Sequence, residues 1–247
     1  MPKCARSLGV IPARAHSTRF PFKVIAKIKG KPMLQYVWEN ANRSSLERVL
    51  IATDHPEIEV VAKSFGAEVV MTPSDLPSGT ERVAFVAKNT DAELVVALQA
   101  DEPLLKADAI NQLLEVFEKN ETAGMVTLAV RRRSFVEFRN PNIVKLAMSD
   151  AGRALYFSRA PLVADAEGGF LKHVGVYGYR RDILLAFSEK PTSQLERAER
   201  LEQLRALENG IPIHVAVIRE DTIAVDEPGD IQRVESAMEF SRMSPNL

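Results

Sequence analysis

The sequence is poor in the residues that build disulfide scaffolds and zinc clusters. Its 247 residues include one cysteine, Cys4, and the four histidines show no ligand spacing. A lone cysteine forms no internal disulfide, and a structural zinc ion needs several sulfur or imidazole ligands at short intervals. We therefore expect no zinc site and a reducing compartment, the cytoplasm.

Long apolar runs and an excess of one charge are missing as well. The stretch Leu8–Ala13 contains Pro12 and is followed by Arg14, which makes it too short for a signal-peptide core, and no later segment approaches the roughly 18 uncharged residues of a membrane span. Lysine and arginine number 32 against 33 acidic residues, so there is no basic field for a nucleic-acid backbone. We expect neither membrane insertion nor nucleic-acid binding. The Walker A and G-x-G-x-x-G phosphate motifs are also absent.

Short apolar runs alternate with longer amphipathic stretches along the chain. This pattern is typical of an α/β protein with a mixed, mostly parallel sheet flanked by helices. The predicted strands are Leu8–Pro12, Arg48–Ala52, Glu68–Met71, Leu94–Leu98, Met125–Val130 and Ile213–Ile218. The predicted helices between them are Met33–Asn42, Glu57–Phe65, Glu81–Lys88 and Ala107–Lys119.

The pattern changes after about residue 135 and indicates a smaller, more antiparallel lobe. Its predicted strands are Ile143–Met148, Ala154–Ser158 and Leu171–Tyr179. A capping box at Ser193 and Glu196, with Gly210 as the C-terminal residue, predicts one continuous helix, and a last helix is expected at about Pro228–Phe240. We divide the chain into a main lobe (1–134), a smaller lobe (135–190) and a segment that returns to the main lobe (191–247).

A donor-rich loop follows the first predicted strand. Arg14, Arg19 and Lys23 lie there, at the carboxyl end of a parallel strand, where open α/β sheets bind ligands. Guanidinium and ammonium groups bind phosphate oxygens, so the loop is a candidate polyphosphate site. For Lys27 and Lys29 we expect solvated charges.

A second candidate segment begins the helix at residues 78–82. Gly79 permits close approach of a ligand to the backbone, and a helix N-terminus favours an anion; capping by Ser78 is the alternative. Arg82 opposes the helix macrodipole at a cost of about 0.3–1 kcal/mol, which a bound phosphate would offset.

Two acids end apolar segments far apart in the sequence. Asp101 follows Leu94–Leu98 and Gln99, and Asp226 follows Val225; each alone is typical of a helix cap. At about 4 Å their carboxylates would repel by roughly 4 kcal/mol at an effective dielectric of 20, so a shared proton or a divalent ion would have to compensate. The nearby basic loop favours nucleotidyl transfer with Mg²⁺ bound by Asp101 and Asp226.

The smaller lobe and the capped helix contain further hydrogen-bonding groups. Strand alternation places His173 and Tyr177 on one face, with Gly175 between them. Glu202 interrupts the apolar stripe of the capped helix and is, with Gln203, a candidate for binding hydroxyls; a helix-surface charge is the alternative. The remaining candidates are Lys145, Tyr156, Ser158, Arg159 and Lys172.

These segments resemble the 3-deoxy-manno-octulosonate cytidylyltransferase (CMP-Kdo synthetase) family, in register over nearly the whole chain. The resemblance is carried by Ile11–Arg14, Ser17–Pro21, Lys23, Gly30–Met33, Ala52–Asp54, Ser78–Arg82, Gln99, Asp101–Pro103, Ala154–Arg159, His173–Tyr179, Leu201–Arg205 and Val225–Asp226.

The resemblance implies transfer of CMP from CTP to the anomeric hydroxyl of 3-deoxy-manno-octulosonate (Kdo), with release of pyrophosphate, for lipopolysaccharide biosynthesis. It implies that Arg14 and Lys23 face the triphosphate, that Asp101 and Asp226 bind Mg²⁺, and that the smaller lobe binds the sugar and forms a homodimer. The implied contacts of the cytidine part are Ser78, Gly79, Arg82 and Gln99. The implied sugar contacts are Arg159, His173, Tyr177, Glu202 and Gln203.

Two positions depart from the family. Phe22 and Ala100 stand where the family usually has glycine, and a left-handed backbone at Phe22 would be strained. The alternatives are a cytidylyltransferase for another acidic sugar, such as an amino-Kdo or a sialic acid, and a non-catalytic CTP-binding homologue. A two-carboxylate glycosidase fits less well, because it has no use for the basic loop.

Overall fold

The computed structural model describes residues 6–15, 20–162 and 169–243. It has two compact units: the first comprises Met1–Ile110 and Thr222–Leu247, and the second comprises Asn111–Asp221. The predicted lobe limits at residues 134 and 190 stay a prediction.

The strands of the first unit are β1 (Ser7–Ala13), β2 (Lys27–Ile28), β3 (Lys31–Pro32), β4 (Arg48–Thr53), β5 (Glu68–Met71) and β6 (Leu94–Ala97). Its helices are α1 (Met33–Asn42), α2 (Pro56–Ser64) and α3 (Gly79–Lys88), while α4 (Ala107–Lys119) leads into the second unit. The second unit contains β7 (Met125–Arg132), α5 (Phe135–Arg139), β8 (Lys145–Met148), β9 (Ala154–Ser158), β10 (Phe170–Arg180), α6 (Arg181–Ser188), α7 (Gln194–Glu199), α8 (Gln203–Glu208) and β11 (Ile213–Ile218). The helix α9 (Asp230–Met243) belongs to the first unit.

Parallel strands form the sheet of the first unit. β1 pairs with β4 on one side and with β6 on the other, and β5 pairs with β4. Val10, Ile11 and Val95 are fully buried, as expected for a parallel sheet that is covered on both faces. The strand and helix positions agree with the predicted α/β pattern to within about two residues, the usual uncertainty of helix and strand ends.

A short hairpin and the C-terminal helix complete the first unit. β2 and β3 pair antiparallel across Lys29 and Gly30, whose φ angles of 46° and 81° are typical of a two-residue hairpin turn. The hairpin was not predicted. Ile28 packs in one buried cluster with Met33, Val225 and Val234, so the last part of the chain returns to this unit.

The second unit is more antiparallel, as predicted. β7 pairs antiparallel with β10 and parallel with β11, and β8 pairs antiparallel with both β10 and β9. The sequence patterns missed α5 and α6.

The predicted continuous helix between Ser193 and Gly210 is wrong. Its capping box is present and Gly210 has a positive φ of 71°, but Arg200 adopts a left-handed conformation at φ 56° and divides the segment into α7 and α8. The Leu201 N–H donates to the carbonyl of Glu196 and closes α7. The break places Glu202 at the start of α8 instead of in the middle of a helix.

No helix within the described ranges is long and apolar enough to span a bilayer.

Candidate active site

Polar segments follow the parallel strands of the first unit at one edge of the sheet. Arg14 follows β1, Asp54 follows β4, and Asp101 lies in the loop after β6. Because these strands are parallel, their carboxyl ends share an edge, which is where such sheets bind ligands.

The ammonium group of Lys23 lies between the two predicted acids. Its Nζ donates to Asp101 Oδ2 at 2.6 Å and to the Val225 carbonyl at 3.0 Å, and Asp226 Oδ1 lies 3.5 Å away. The Val225 N–H in turn donates to the Asp101 carbonyl at 2.9 Å. The structure thus confirms that Asp101 and Asp226 converge. The Lys23 ammonium group offsets their repulsion in part, while Mg²⁺ at the two acids stays a prediction.

The residue before Lys23 has the strained backbone expected of a non-glycine residue there. Phe22 has φ 55° and ψ 22°, a conformation that costs a residue with a Cβ roughly 1–2 kcal/mol. Its N–H donates to the Ala15 carbonyl at 2.9 Å, and its ring packs edge-on against His55 with the centroids 4.9 Å apart. The turn that presents Lys23 therefore forms without glycine. At the other departure, Ala100 is accommodated as a buried side chain.

The Arg14 guanidinium binds the loop that leads into α3. It donates to the carbonyls of Leu76 and Pro77, each at 3.0 Å. Arg14 therefore connects the end of β1 with the predicted nucleotide segment, while its contact with a triphosphate stays a prediction. Arg19 lies outside the described residues.

Ser78 caps α3, as the structural alternative anticipated. Its Oγ accepts from the N–H groups of Thr80 at 3.1 Å and Glu81 at 3.4 Å. Gly79 opens the helix next to Pro12, whose Cγ would lie 3.4 Å from a β-carbon at this position. A cap and a nucleotide contact are compatible, and the predicted contacts of Ser78 and Gly79 remain untested.

Arg82 is buried and has a protein partner for its charge. Its side chain is 1% exposed, and NH2 donates to Asp54 Oδ2 at 2.7 Å. NH1 donates to Thr72 Oγ1 and, at 3.4 Å, to the Pro73 carbonyl. The Asp54 carboxylate supplies a negative charge beside the arginine at this helix start, so the burial of Arg82 does not require a bound phosphate. A nucleotide contact for Arg82 remains only a prediction.

Gln99 lies in the loop that carries Asp101. The Leu98 N–H donates to the Val10 carbonyl at 2.9 Å, and the Gln99 carbonyl accepts from the Glu102 N–H at 3.2 Å. These bonds hold the loop at the edge of β1, and the Gln99 side chain is half-buried there.

His173 and Tyr177, the two predicted sugar contacts on β10, lie side by side in the second unit. The rings of His173 and Tyr177 have centroids 5.4 Å apart, and the Phe157 ring lies edge-on to His173 at 5.1 Å. His173 Nε2 lies 3.0 Å from the hydroxyl oxygen of the buried Thr127. Burial lowers the pKa of His173 to about 3, so its imidazole is neutral at physiological pH. Burial, reinforced by Tyr179 and by the Glu202 carboxylate, raises the pKa of Tyr177 well above its usual value.

Two buried polar atoms of the predicted sugar contacts have no hydrogen-bond partner among the described residues. They are the Tyr177 hydroxyl and Gln203 Nε2. An unsatisfied buried donor costs about 1–3 kcal/mol, so each is better explained by a ligand or a water than by packing alone.

Glu202 is held by a buried arginine. Arg205 NH2 donates to Glu202 Oε1 at 2.5 Å, and Arg205 NH1 donates to the Lys190 carbonyl at 2.8 Å. Its guanidinium also lies 4.6 Å from the centroid of the Phe187 ring. Glu202 is therefore held by Arg205 in the break between α7 and α8, and its binding of hydroxyls stays a prediction.

Arg159 is bound to the end of α7. Its Nε donates to the Glu199 carbonyl at 3.1 Å, and Glu199 also accepts from the Arg159 N–H at 3.1 Å. The Arg159 carbonyl accepts from Nζ of Lys145 at 2.7 Å. Burial, with the nearby Arg159 charge, lowers the pKa of Lys145. Lys145 thus supports this loop instead of pointing to a ligand.

Sequence reasoning brought the main candidates together but missed the residues that hold them. Asp54, Thr127, Glu199 and Arg205 were given no role, although each contacts a candidate. Asp54, Thr127 and Glu199 contact partners 28 to 46 residues away in the sequence, whereas Arg205 pairs with Glu202 at the helical i,i+3 spacing, a signal that could have found it.

The donor set at Asp101 and Asp226 suits a hard cation. In the parts of the chain that the structure describes, no group of three or more His, Cys, Asp or Glu side chains could bind a metal ion by itself. Two carboxylates completed by substrate phosphates are nevertheless a usual environment for Mg²⁺. The residues present therefore fit a metal that binds together with its substrate.

Comparison with known proteins identifies the family. The family described as "Cytidylyltransferase" matches residues 8–218. The chain belongs to the cytidylyltransferase family.

Named relatives of this cytidylyltransferase match it along nearly its whole length. It is 46% identical over 246 residues to the 3-deoxy-manno-octulosonate cytidylyltransferase of Solibacter usitatus, covering 98% of this chain and 97% of the relative. Identity to the protein of that name from Acidobacterium capsulatum is 48%, covering 94% and 96%. The solved structure of CMP:2-keto-3-deoxy-manno-octonic acid synthetase complexed with CTP superposes with a TM-score of 0.90 at 36% identity, covering 96% of this chain and 100% of that chain. These matches confirm the resemblance and the α/β fold class, and they make the protein a nucleotidyltransferase.

Proposed function

We propose that this cytidylyltransferase transfers CMP from CTP to the anomeric hydroxyl of Kdo and releases pyrophosphate. The observation that carries the proposal is the convergence of Lys23, Asp101 and Asp226, residues from three distant parts of the chain, at one point. Relatives named for this reaction, at 46% and 48% identity, support the choice of CTP and Kdo as substrates.

In this proposal the cations of the first unit bind the triphosphate. The Lys23 side chain reaches the acids from a turn, and its flexible stem lets the ammonium follow a phosphate oxygen. Arg14, which is bound to the loop before α3, provides a further cation for anionic oxygens. The groups orient the α-phosphorus for in-line attack by the sugar hydroxyl, and Lys23 stabilises the charge that develops on the departing pyrophosphate.

The proposal includes Mg²⁺ at Asp101 and Asp226. When bound, the ion would polarise the phosphate and favour ionisation of the attacking hydroxyl. The two carboxylates would hold it from the protein side, and the hydrogen bond from the Val225 N–H to the Asp101 carbonyl keeps their backbones close together.

The groups of the second unit are proposed to bind the sugar acid. The Arg159 guanidinium provides a cation for the carboxylate, while Glu202 accepts and Gln203 donates hydrogen bonds to hydroxyls. His173 is neutral, because burial lowers its pKa to about 3, so it serves as a hydrogen-bonding group without charge. The Tyr177 hydroxyl and Gln203 Nε2 would gain the partners that they lack among the described residues.

The test is pyrophosphate release with CTP and a panel of sugar acids: Kdo, an amino-Kdo and a sialic acid. We expect Kdo to give the highest kcat/KM. By analogy with the loss of an oxyanion donor, K23A should lower kcat by roughly 10²–10³. Lys31→Ala is the matched control. It also removes a lysine that is paired with a carboxylate, Glu39 at 2.7 Å, but Lys31 lies outside the site. A higher rate with another acid would replace the sugar in the proposal. If calorimetry shows CTP binding but no sugar acid is turned over, the proposal of an enzyme is wrong and the protein is a CTP-binding protein.

We extend the proposal to a homodimer in the cytoplasm that supplies lipopolysaccharide synthesis. Exposed apolar side chains of the second unit support self-association: Phe135 is 70% exposed, Val136 80% and Leu155 62%. A dimer should appear in sedimentation equilibrium, and L155E should shift it to monomer. A wild-type monomer at micromolar concentration would remove this part of the proposal.

A further inference from the structure

The Lys23 ammonium occupies the position where the proposed metal would contact Asp101. Its Nζ lies 2.6 Å from Asp101 Oδ2, 3.5 Å from Asp226 Oδ1 and 3.0 Å from the Val225 carbonyl. These are three oxygen atoms of the kind that bind Mg²⁺, which prefers carboxylate and carbonyl oxygens. One cation, belonging to the chain itself, therefore already fills the oxygen cluster.

A divalent ion and the ammonium group compete for this cluster. Mg²⁺ binds oxygen at about 2.0–2.1 Å, so both cations on Asp101 would lie within a few ångströms of each other and repel strongly. The side chains of Lys23 and Asp101 are 14% and 25% exposed and that of Asp226 is 50% exposed, so water screens the repulsion only in part. Mg²⁺ and the Lys23 ammonium therefore cannot both bind the two carboxylates as tightly as either would alone.

The cluster keeps its shape without help from a metal. The Val225 N–H donates to the Asp101 carbonyl at 2.9 Å, and the Asp226 N–H donates to Asp230 Oδ2 at 3.0 Å. The backbone positions of both acids are thus fixed by hydrogen bonds in which Lys23 takes no part. Lys23 itself reaches them through a long side chain, which can leave by rotation of its own bonds.

We propose that Lys23 is an exchangeable internal counter-ion, which holds the two carboxylates in the nucleotide-free protein and gives up its place to the metal when the ammonium moves to the triphosphate. The inference rests on the metal site of the proposed function. It adds an order of events: the free protein binds a divalent ion weakly because Lys23 competes, and CTP strengthens metal binding by drawing the ammonium away.

The test is binding of Mn²⁺ without nucleotide, followed by the electron paramagnetic resonance signal of the free ion. Lys23→Met should bind Mn²⁺ at least about tenfold more tightly than the wild type, because the repulsion between a unit charge and a divalent ion about 4 Å away exceeds a tenfold effect even at the dielectric constant of water. Lys23→Met/Asp101→Asn should lose that gain. Lys31→Met, which removes the lysine bound to Glu39, is the matched control and should leave Mn²⁺ binding unchanged.

A second measurement guards against a variant that folds poorly. Lys23→Met leaves the two acids without their counter-ion, so its melting temperature should fall without Mn²⁺ and recover when Mn²⁺ is added. The wild type should respond to Mn²⁺ only when CTP is present. Lys23→Gln, which keeps a hydrogen-bonding group but no charge, should behave like Lys23→Met.

The outcomes separate the inference from the proposed function. If wild-type protein with CTP binds Mn²⁺ through Asp101, but Lys23→Met without CTP binds it no more tightly than wild type, the exchange is overturned and the metal site stands. If Asp101→Asn leaves Mn²⁺ binding unchanged with CTP, the metal site itself is overturned and the exchange falls with it.

Discussion

Removal of the Asp54 carboxylate tests whether the buried charge of Arg82 is held by this one partner. The side chains are 9% and 1% exposed, and the carboxylate accepts from Arg82 NH2 at 2.7 Å. In D54A the guanidinium keeps only neutral acceptors, Thr72 and Pro73. Breaking a buried pair in this way costs about 3–5 kcal/mol. The unfavourable helix-dipole position of Arg82, about 0.3–1 kcal/mol, is small by comparison.

The assay is urea unfolding, read by circular dichroism and by the fluorescence of Trp38. The single tryptophan lies in α1 of the first unit, packed against Phe65, and therefore reports on the unit that contains the pair. The control is E68A, which breaks an exposed ion pair with Arg48, where both side chains are 51% exposed. Such a pair contributes at most about 1 kcal/mol.

Equal losses of unfolding free energy in D54A and E68A would refute the reasoning, because the Arg82 charge would then be solvated in the folded state. The double variant D54A/R82M separates the causes. It should recover part of the loss, since an apolar side chain replaces an unpaired buried charge. No recovery would attribute the loss to packing around Asp54.

Three further predictions follow from the other sites. At Phe22, F22G should unfold with about 1 kcal/mol more free energy than F22A, because glycine relieves the left-handed strain at φ 55°; equal stabilities would contradict the strain. At His173, whose pKa is lowered to about 3, the unfolded chain binds a proton more readily than the folded chain, so wild-type unfolding free energy should fall as pH drops from about 6.5 towards 3. The unfolding free energy of H173Q, measured by urea titration, should fall less between pH 7.5 and 4.5 than that of the wild type. An identical decline would exclude His173 as the cause. At Gln203, Q203L should raise the KM for Kdo about tenfold or more, without loss of stability, because it removes a buried amide nitrogen that has no partner among the described residues. A stability loss with unchanged KM would make Gln203 structural.

The sequence alone predicted most helices and strands of the first unit. α1 and α4 have the predicted bounds, Met33–Asn42 and Ala107–Lys119, because local apolar periodicity and the flanking residues determine such amphipathic segments. The same reasoning failed between Ser193 and Gly210. Both ends were correct, since caps are local, but the break at Arg200 depends on contacts of Glu199 and Arg205 with other parts of the chain.

The candidate site divides in the same way. Asp101 follows a parallel strand, so its place at this edge is readable from the order of elements, whereas Asp226 lies in the loop before α9, where only the likeness of its segment to that of Asp101 pointed to it. The contact of Lys23 with both acids could not be predicted. A cation on a nearby loop can reach either the acids or the solvent, and only the fold decides which. Arg82 shows the converse, since its unfavourable helix position was noticed but its partner Asp54, 28 residues away, was not assigned.

The amino-acid sequence by itself determined the fold class, the family and the set of polar residues available for chemistry, because periodicity, caps and motifs are local properties. The tertiary structure alone decided which of these groups are already paired: Lys23 with two acids, Arg82 with Asp54 and Ser158 with Glu199. The physical reason is that pairing depends on distance and burial. Both arise only when segments far apart in the chain pack together and exclude the water that would otherwise solvate each charge.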